Sequence, residues 1–261
     1  WHCWRPDLAD TAILDAILKR DFGAVARHVR DGWTGMSAAM GHIPCIPPYF
    51  LGPFFLGPAH PLLPSARAKI PGVFKGVLYY KQEHEASLSS ARLSEHESLV
   101  MNTIPDFPNT WGFIADDASR SWRVFLSELE LAARSSKEAN DAMAIAGKGM
   151  HGLDPDQQAH VKEEALLVEF MHRTLVTCFN TFTFIIARDG LGTRFGWNGT
   201  RSCREIARDE LENARRARHV YEAAPWLDLA YRLEGKFPPS LSMLAEKERM
   251  LSGIIGKTSM V

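Results

Sequence analysis

Seven of the fifteen prolines lie between Pro44 and Pro64. Proline has no backbone N–H and fixes φ, so this stretch cannot form the interior of a helix or a central strand. The stretch also repeats a short motif, FLGP at residues 50–53 and again at 55–58. We therefore expect an extended, apolar connector, whose aromatic and leucine side chains must cover a core, a cofactor or lipid.

The rest of the chain has mostly helical periodicity. Apolar residues recur at helical spacing over residues 9–40 and 121–143, and a further helix is predicted from Asp154-Pro155 to about Asp189-Gly190. Residues 77–101 and 201–221 are charged and are also predicted to be helical, whereas the glycine-rich residues 147–152 are interpreted as a flexible turn. Because strand signals are few, the predicted fold class is all-α.

Composition narrows the possible functions. The 261 residues carry a formal net charge of -1 with 46% hydrophobic residues, which excludes intrinsic disorder and gives no electrostatic support for nucleic-acid binding. The cysteines Cys3, Cys45, Cys178 and Cys203 are far apart, so neither a zinc knuckle nor a disulfide framework is supported. A mean hydropathy of -0.16 is ordinary for a soluble protein.

One predicted helix has the length of a membrane span. A span needs about 20 mostly apolar residues, and residues 164–187 provide them, with no charge after Arg173. However, Glu169, His172 and Arg173 lie in its first half, and a charge at the bilayer centre costs about 2.5–3.5 kcal/mol on insertion scales. Such residues are tolerated when they are paired or when they ligate something.

Glu169 and His172 are also a candidate ligand pair. At positions i and i+3 they lie on one face of a helix, which is the spacing of half a carboxylate-bridged di-metal site. No second Glu-x-x-His occurs, although residues 83–97 contain further glutamates and histidines. A soluble helical di-metal carboxylate oxidase and a solvated surface pair both remain open. Motifs for a nucleophile elbow, a P-loop or dinucleotide binding are absent from the sequence.

The layout of residues 154–199 resembles the third transmembrane helix of the light-harvesting chlorophyll-binding family, especially its algal chlorophyll a/c branch. The matching features are Asp154-Pro155, Glu169, His172, the DGLG run at 189–192 and Trp197. Residues 4–8 are similar to the family's mature opening and residues 28–43 to its first helix. Residues 107–109 with 122–131 look like its Val-Pro-Asn motif and middle helix. The resemblance covers about residues 4–199.

This resemblance implies a three-helix membrane antenna-like fold with extra amphipathic or soluble helices. The light-harvesting-like domain would be 1–199, interrupted by a polar helical insertion at 77–101, and 200–261 would be a C-terminal helical extension. The helix at 201–221 would then be exposed to water and suited to contact another subunit.

The resemblance also implies a function without catalysis. The chain would bind chlorophyll a, chlorophyll c and a carotenoid of the peridinin or fucoxanthin type, and would pass excitation energy to a photosystem in the plastid thylakoid membrane. Its partners would be the photosystem core, neighbouring antenna subunits and thylakoid lipids. The implied ligands of chlorophyll magnesium, with no other metal, are His28, Asp31, Glu169 and His172, with Glu128 and Glu130 as alternatives on the middle helix because residues two apart cannot face the same way. The alternative is a pigment-poor or pigment-free structural or linker subunit of a photosynthetic complex.

Overall fold

The computed structural model describes residues 9–43, 53–64, 71–74, 118–188, 190, 201–228 and 238–256. Every regular element within these ranges is helical, which confirms the all-α class. The α-helices are α1 (Asp10–Phe22), α2 (Ala26–Gly41), α3 (Pro53–Leu56), α4 (Ala118–Gly149), α5 (Pro155–Arg188), α6 (Cys203–Ala223) and α7 (Ser240–Gly256). Short 3-10 turns occupy Gly23–Val25, Gly57–Ala59, Gly72–Phe74, Met150–Gly152 and Pro225–Leu227. The predicted helix at 77–101 lies outside the described residues.

Local sequence signals set the starts of α5 and α6. Asp154 caps α5, because its Oδ1 accepts a hydrogen bond from the Gln157 backbone N–H at 2.9 Å, and Pro155 takes the first helical position. Ser202 and Glu205 form a reciprocal capping box at the start of α6. The predicted turn at 147–152 was partly wrong, since residues 147–149 continue α4 and the turn begins at Met150.

The N-terminal half is a helical layer built around α4. Helix α2 lies along one side of α4 and α5 along another, while α1 packs on both α2 and α5. Gly23 has φ +49° and lets the chain turn sharply between α1 and α2. The apolar side chains buried in this half include Leu18, Phe22, Val29, Met36, Leu126, Leu129, Met143, Val161, Val168 and Leu175.

Helices α2 and α4 approach each other closely at Gly35. A Cβ atom on Gly35 would lie 3.1 Å from the Ala139 Cβ and 3.3 Å from the Ala139 backbone N. Because backbone cannot move aside as a flexible side chain does, this contact depends on glycine.

We expect Gly35→Leu to lower the free energy of unfolding by about 1–3 kcal/mol, because the added side chain forces α2 away from α4. Gly41→Leu is the matched control, since nothing lies within 4 Å of a Cβ at that end of the same helix. Urea unfolding followed by circular dichroism measures both variants. Equal urea midpoints for the two would contradict the close packing.

The C-terminal half joins α5, α6 and α7 to the proline-rich stretch. The prediction of an extended connector was wrong for residues 53–59, which form a helical turn and a 3-10 turn. Pro53 and Pro58 fall in the first positions of these turns, where a missing N–H costs little. Residues 56–63 are buried against α5, α6 and α7, so the part of the stretch that is described covers a protein core.

The helices after residue 200 share their core with α5. Helix α6 packs along α5 and α7 along α6, and the exposure predicted for 201–221 holds for one face of α6 only. The predicted division of the chain into a domain of residues 1–199 and a C-terminal extension of residues 200–261 stays a prediction. In the parts of the chain that are described, we find no helix with enough length and apolar character to cross a membrane.

Candidate functional site

The structure places the six predicted ligands on three different helices. His28 is half-buried and Asp31 exposed on α2, and on α4 Glu130 is exposed. Glu128, also on α4, lies 2.8 Å from the Nδ1 atom of His42 and therefore bonds to the end of α2. Glu169 and His172 are on α5. These six side chains are not brought together into one site.

His172 lies between α5 and α4. The residue is 5% exposed, and its Nδ1 atom is 2.9 Å from the hydroxyl oxygen of Ser136. That hydroxyl donates its single hydrogen to the Ala133 carbonyl at 2.9 Å, so we infer that His172 Nδ1 carries a hydrogen and donates to Ser136. Burial, reinforced by the positive charge of Arg173, lowers the pKa of His172 to about 4. The ring is therefore neutral at pH 7, and its Nε2 atom holds a lone pair.

The carboxylate of Glu169 forms an ion pair with Arg173 of the same helix. Its Oε1 atom accepts hydrogen bonds from the Nη2 and Nε atoms of Arg173 at 3.2 and 3.3 Å. The Arg173 side chain is largely buried, and burial lowers its pKa while Glu169 opposes that change. The carboxylate of Glu169 is thus already compensated by a cation one turn away.

The most concentrated group of buried polar side chains lies elsewhere, where α5, α6 and α7 meet. Glu210 of α6 has no exposed surface, and its carboxylate accepts hydrogen bonds from Thr177 Oγ1 at 2.5 Å and from Asn180 Nδ2 at 2.7 Å. Asn213, one turn further along α6, donates to Thr177 Oγ1 at 2.9 Å and to the Arg173 carbonyl at 3.0 Å. These bonds fix the position of α6 along α5.

Lys247 of α7 completes this group. Its side chain is fully buried, its ammonium pairs with Glu210, and it donates to the Pro58 carbonyl at 2.6 Å. Burial lowers the pKa of Lys247, and the adjacent Glu210 carboxylate opposes the change. We call Thr177, Asn180, Glu210, Asn213 and Lys247 the buried polar network. It connects α5, α6, α7 and the proline-rich stretch.

His60 lies in the same core, and neither ring nitrogen makes a hydrogen bond of good geometry with a described residue, although the adjacent Pro61 backbone slightly opposes the fall in its pKa. Burial and the positive charge of Lys247 lower its pKa to about 3. Cys178 is also fully buried, and burial together with the negative charge of Glu210 raises its pKa well above the usual value. Both side chains are therefore neutral at pH 7.

The sequence reasoning missed the buried polar network, although a signal was present. Lys247 follows Met243 and precedes Leu251 by four residues, so it occupies a core position of α7. Thr177 and Asn180 interrupt the apolar part of α5 at the spacing of one helical face. A polar residue at a core position requires a buried partner, and this requirement could have been read from the pattern.

The donor sets differ in how well they suit the proposed cofactors. Within the described ranges, no three His, Cys, Asp or Glu side chains converge as metal ligands, so these residues do not fit a di-metal site. The candidate residues at 83–97 lie outside those ranges. For chlorophyll magnesium, which needs one axial donor, the lone pair of His172 Nε2 fits, whereas Glu169 is engaged with Arg173.

Comparison with known proteins gives no relative: no family model, no curated protein and no solved structure matches the chain.

Proposed function

We propose that this protein is a helical structural subunit, a scaffold or linker that needs no cofactor to hold its shape. The observation that carries the proposal is the buried polar network, in which Glu210 and Lys247 connect three helices and the proline-rich stretch. Glu128 and Glu169 likewise bond to protein partners. The side chains of the buried polar network thus serve to position helices.

A contact surface for other subunits is available on α6. Its exposed side carries both signs of charge, including Arg208, Glu212, Arg215 and Arg216. Mixed charge of this kind favours selective contacts with a complementary surface.

Refolding with and without pigment tests the scaffold. We expect the full chain, expressed without pigment, to fold into a helical, colourless protein that unfolds cooperatively, with an unfolding temperature that chlorophyll and carotenoid leave unchanged. Circular dichroism, absorption spectroscopy and calorimetry measure these properties. A chain that gains helical structure only when pigment is added would overturn the scaffold proposal.

A second candidate is the chlorophyll-binding, antenna-like protein that the sequence resemblance implies. The observation that favours it is the 2.9 Å contact between His172 Nδ1 and the Ser136 hydroxyl. With the hydroxyl hydrogen directed to the Ala133 carbonyl, we infer a hydrogen on Nδ1, which leaves the lone pair on Nε2. Metal-binding histidines are commonly oriented in this way. The proposed three-helix membrane fold, the thylakoid location, the carotenoids and the photosystem partners belong to this candidate. It ranks second because His172 is only 5% exposed.

If His172 binds chlorophyll, the Ser136→Ala variant should bind it about 10–100-fold more weakly, because the support of the other ring nitrogen is lost. His172→Leu should abolish binding at that site, and His219→Leu, an exposed position on α6, is the control. Pigment titration followed by red absorption measures all three. If the wild type, Ser136→Ala and His172→Leu all bound chlorophyll with equal affinity, His172 would be excluded as the ligand.

A further inference from the structure

The described part of the proline-rich stretch lies along α5. Near its start, a Cβ atom on Gly57 would be 3.1 Å from Thr174 Oγ1, and near its end the Leu63 carbonyl accepts a hydrogen bond from Arg188 Nη1 at 3.0 Å. His60 is midway between Gly57 and Leu63 in the sequence. It therefore lies beside the middle of the α5 segment that residues 174 and 188 bound.

Thr181 is at this middle level of α5. Seven positions, or two helical turns, separate it from Thr174, so the two side chains share the face of α5 that borders the stretch. His60 and Thr181 are each 1% exposed, and within the described ranges neither the His60 ring nitrogens nor Thr181 Oγ1 has a hydrogen-bond partner. Buried polar groups are almost always bonded to protein or to ordered water. Two such groups at one level of one interface therefore indicate a shared ligand.

Lys247 adds a third group to the same place. Its ammonium carries three hydrogens, and the acceptors that the structure gives it are the Glu210 carboxylate and the Pro58 carbonyl. One hydrogen of the ammonium is left for another acceptor. The positive charge of Lys247 acts on the His60 ring, which places this hydrogen close to the unpartnered nitrogens.

The charges of this core favour a neutral ligand. Lys247 already balances Glu210, and both side chains are fully buried. A further cation or anion would therefore be an uncompensated charge in the interior. The ligand must also accept from an ammonium and donate to the unprotonated nitrogen of a neutral imidazole, and water does both.

We propose that a water molecule binds between the proline-rich stretch and α5, with His60, Thr181 and Lys247 as its partners. The water oxygen accepts the third hydrogen of Lys247, and the two water hydrogens are donated to the unprotonated His60 nitrogen and to Thr181 Oγ1. An internal water typically makes about three hydrogen bonds, so one molecule serves all three groups. The site goes beyond the proposed scaffold function and does not depend on whether pigment binds.

Crystal structures of the full chain, at a resolution that shows ordered waters, test the site. In the wild type we expect a water oxygen about 2.7–3.2 Å from a His60 ring nitrogen, from Thr181 Oγ1 and from Lys247 Nζ. In Thr181→Val, which has nearly the same shape but no hydroxyl, the water loses one of its three bonds and its density should weaken or vanish. Stability is a poor readout, because the entropy lost on immobilising a water offsets part of its hydrogen bonding.

Thr183→Val is the matched control. Thr183 is also buried on α5, but its hydroxyl donates to the Phe179 carbonyl of the same helix at 2.8 Å. The water density in this variant should equal that of the wild type. In solution, ¹⁷O relaxation dispersion of water, which counts long-lived internal waters, should give a smaller count for Thr181→Val than for Thr183→Val.

Two results would overturn the proposal. One is a wild-type structure with no water within hydrogen-bond distance of both His60 and Thr181, including a structure in which the His60 ring bonds Thr181 directly. The other is equal water density, and an equal count in solution, for Thr181→Val and Thr183→Val.

Discussion

Replacing Glu210 with alanine is expected to lower the free energy of unfolding by about 3–5 kcal/mol, the usual cost of removing one partner from a buried ion pair. The substitution leaves the ammonium of Lys247 buried, with the Pro58 carbonyl as its remaining hydrogen-bond partner in the protein. It also removes the acceptor for Thr177 and Asn180. Urea unfolding of the full chain at pH 7 measures the change.

Glu212→Ala is the control for this prediction. Glu212 lies two residues further along α6, but its side chain is exposed and pairs with Arg216 within the same helix. Exposed ion pairs of this kind contribute little to stability, so the urea midpoint of this variant should match that of the wild type. A similar midpoint for Glu210→Ala would mean that the network does not hold the helices together.

The starts of α5 and α6 could be predicted from sequence because the signals are local. Asp154 and Pro155 begin α5 shortly after the 3-10 turn at Met150–Gly152. At the start of α6, Ser202 needs only Glu205 to complete its capping box. Such contacts depend on residues three positions apart, so the spacing in the sequence already contains the geometry. The same argument applies to the ion pair between Glu169 and Arg173, whose spacing of four could have been recognised.

The buried polar network could not be assembled in the same way, because its partners are distant in sequence. Thirty-seven residues separate Glu210 from Lys247, and 189 separate Lys247 from Pro58. Periodicity shows that a polar residue occupies a core position, but several buried donors and acceptors could satisfy it. Which helix supplies the partner depends on how the helices pack, and that is a property of the tertiary structure.

The proline-rich stretch illustrates the same limit. Its prolines exclude a long helix, and its apolar side chains require a cover, yet core, cofactor and lipid would give the same composition. The structure shows residues 56–63 buried against α5, α6 and α7. His60 is then enclosed in an apolar interior beside Lys247, which no local pattern indicates.

Acidification from pH 6.5 to pH 5 is expected to lower the free energy of unfolding by about 2 kcal/mol for each of His60 and His172. The pKa of His60 is about 3 and that of His172 about 4 in the folded protein, against 6.5 for an ordinary histidine. Over this pH range each histidine of the unfolded chain goes from half to nearly full protonation, whereas the folded chain binds few protons there, so stability rises with pH and falls on acidification. Each pKa unit corresponds to about 1.4 kcal/mol.

Variants of His60 and His172 separate the contributions of the two imidazole rings to this pH dependence. His60→Leu should remove half of the loss between pH 6.5 and 5, and it should be neutral or stabilising at pH 7, because neither His60 nitrogen has a partner among the described residues. His172→Leu should remove the other half, at the cost of the bond to Ser136. His219→Leu, exposed on α6, is the control and should keep the full loss. Urea unfolding at pH 5, 6.5 and 7 measures all four proteins. If His60→Leu kept the full loss between pH 6.5 and 5, the His60 ring would be accessible to protons in the folded state.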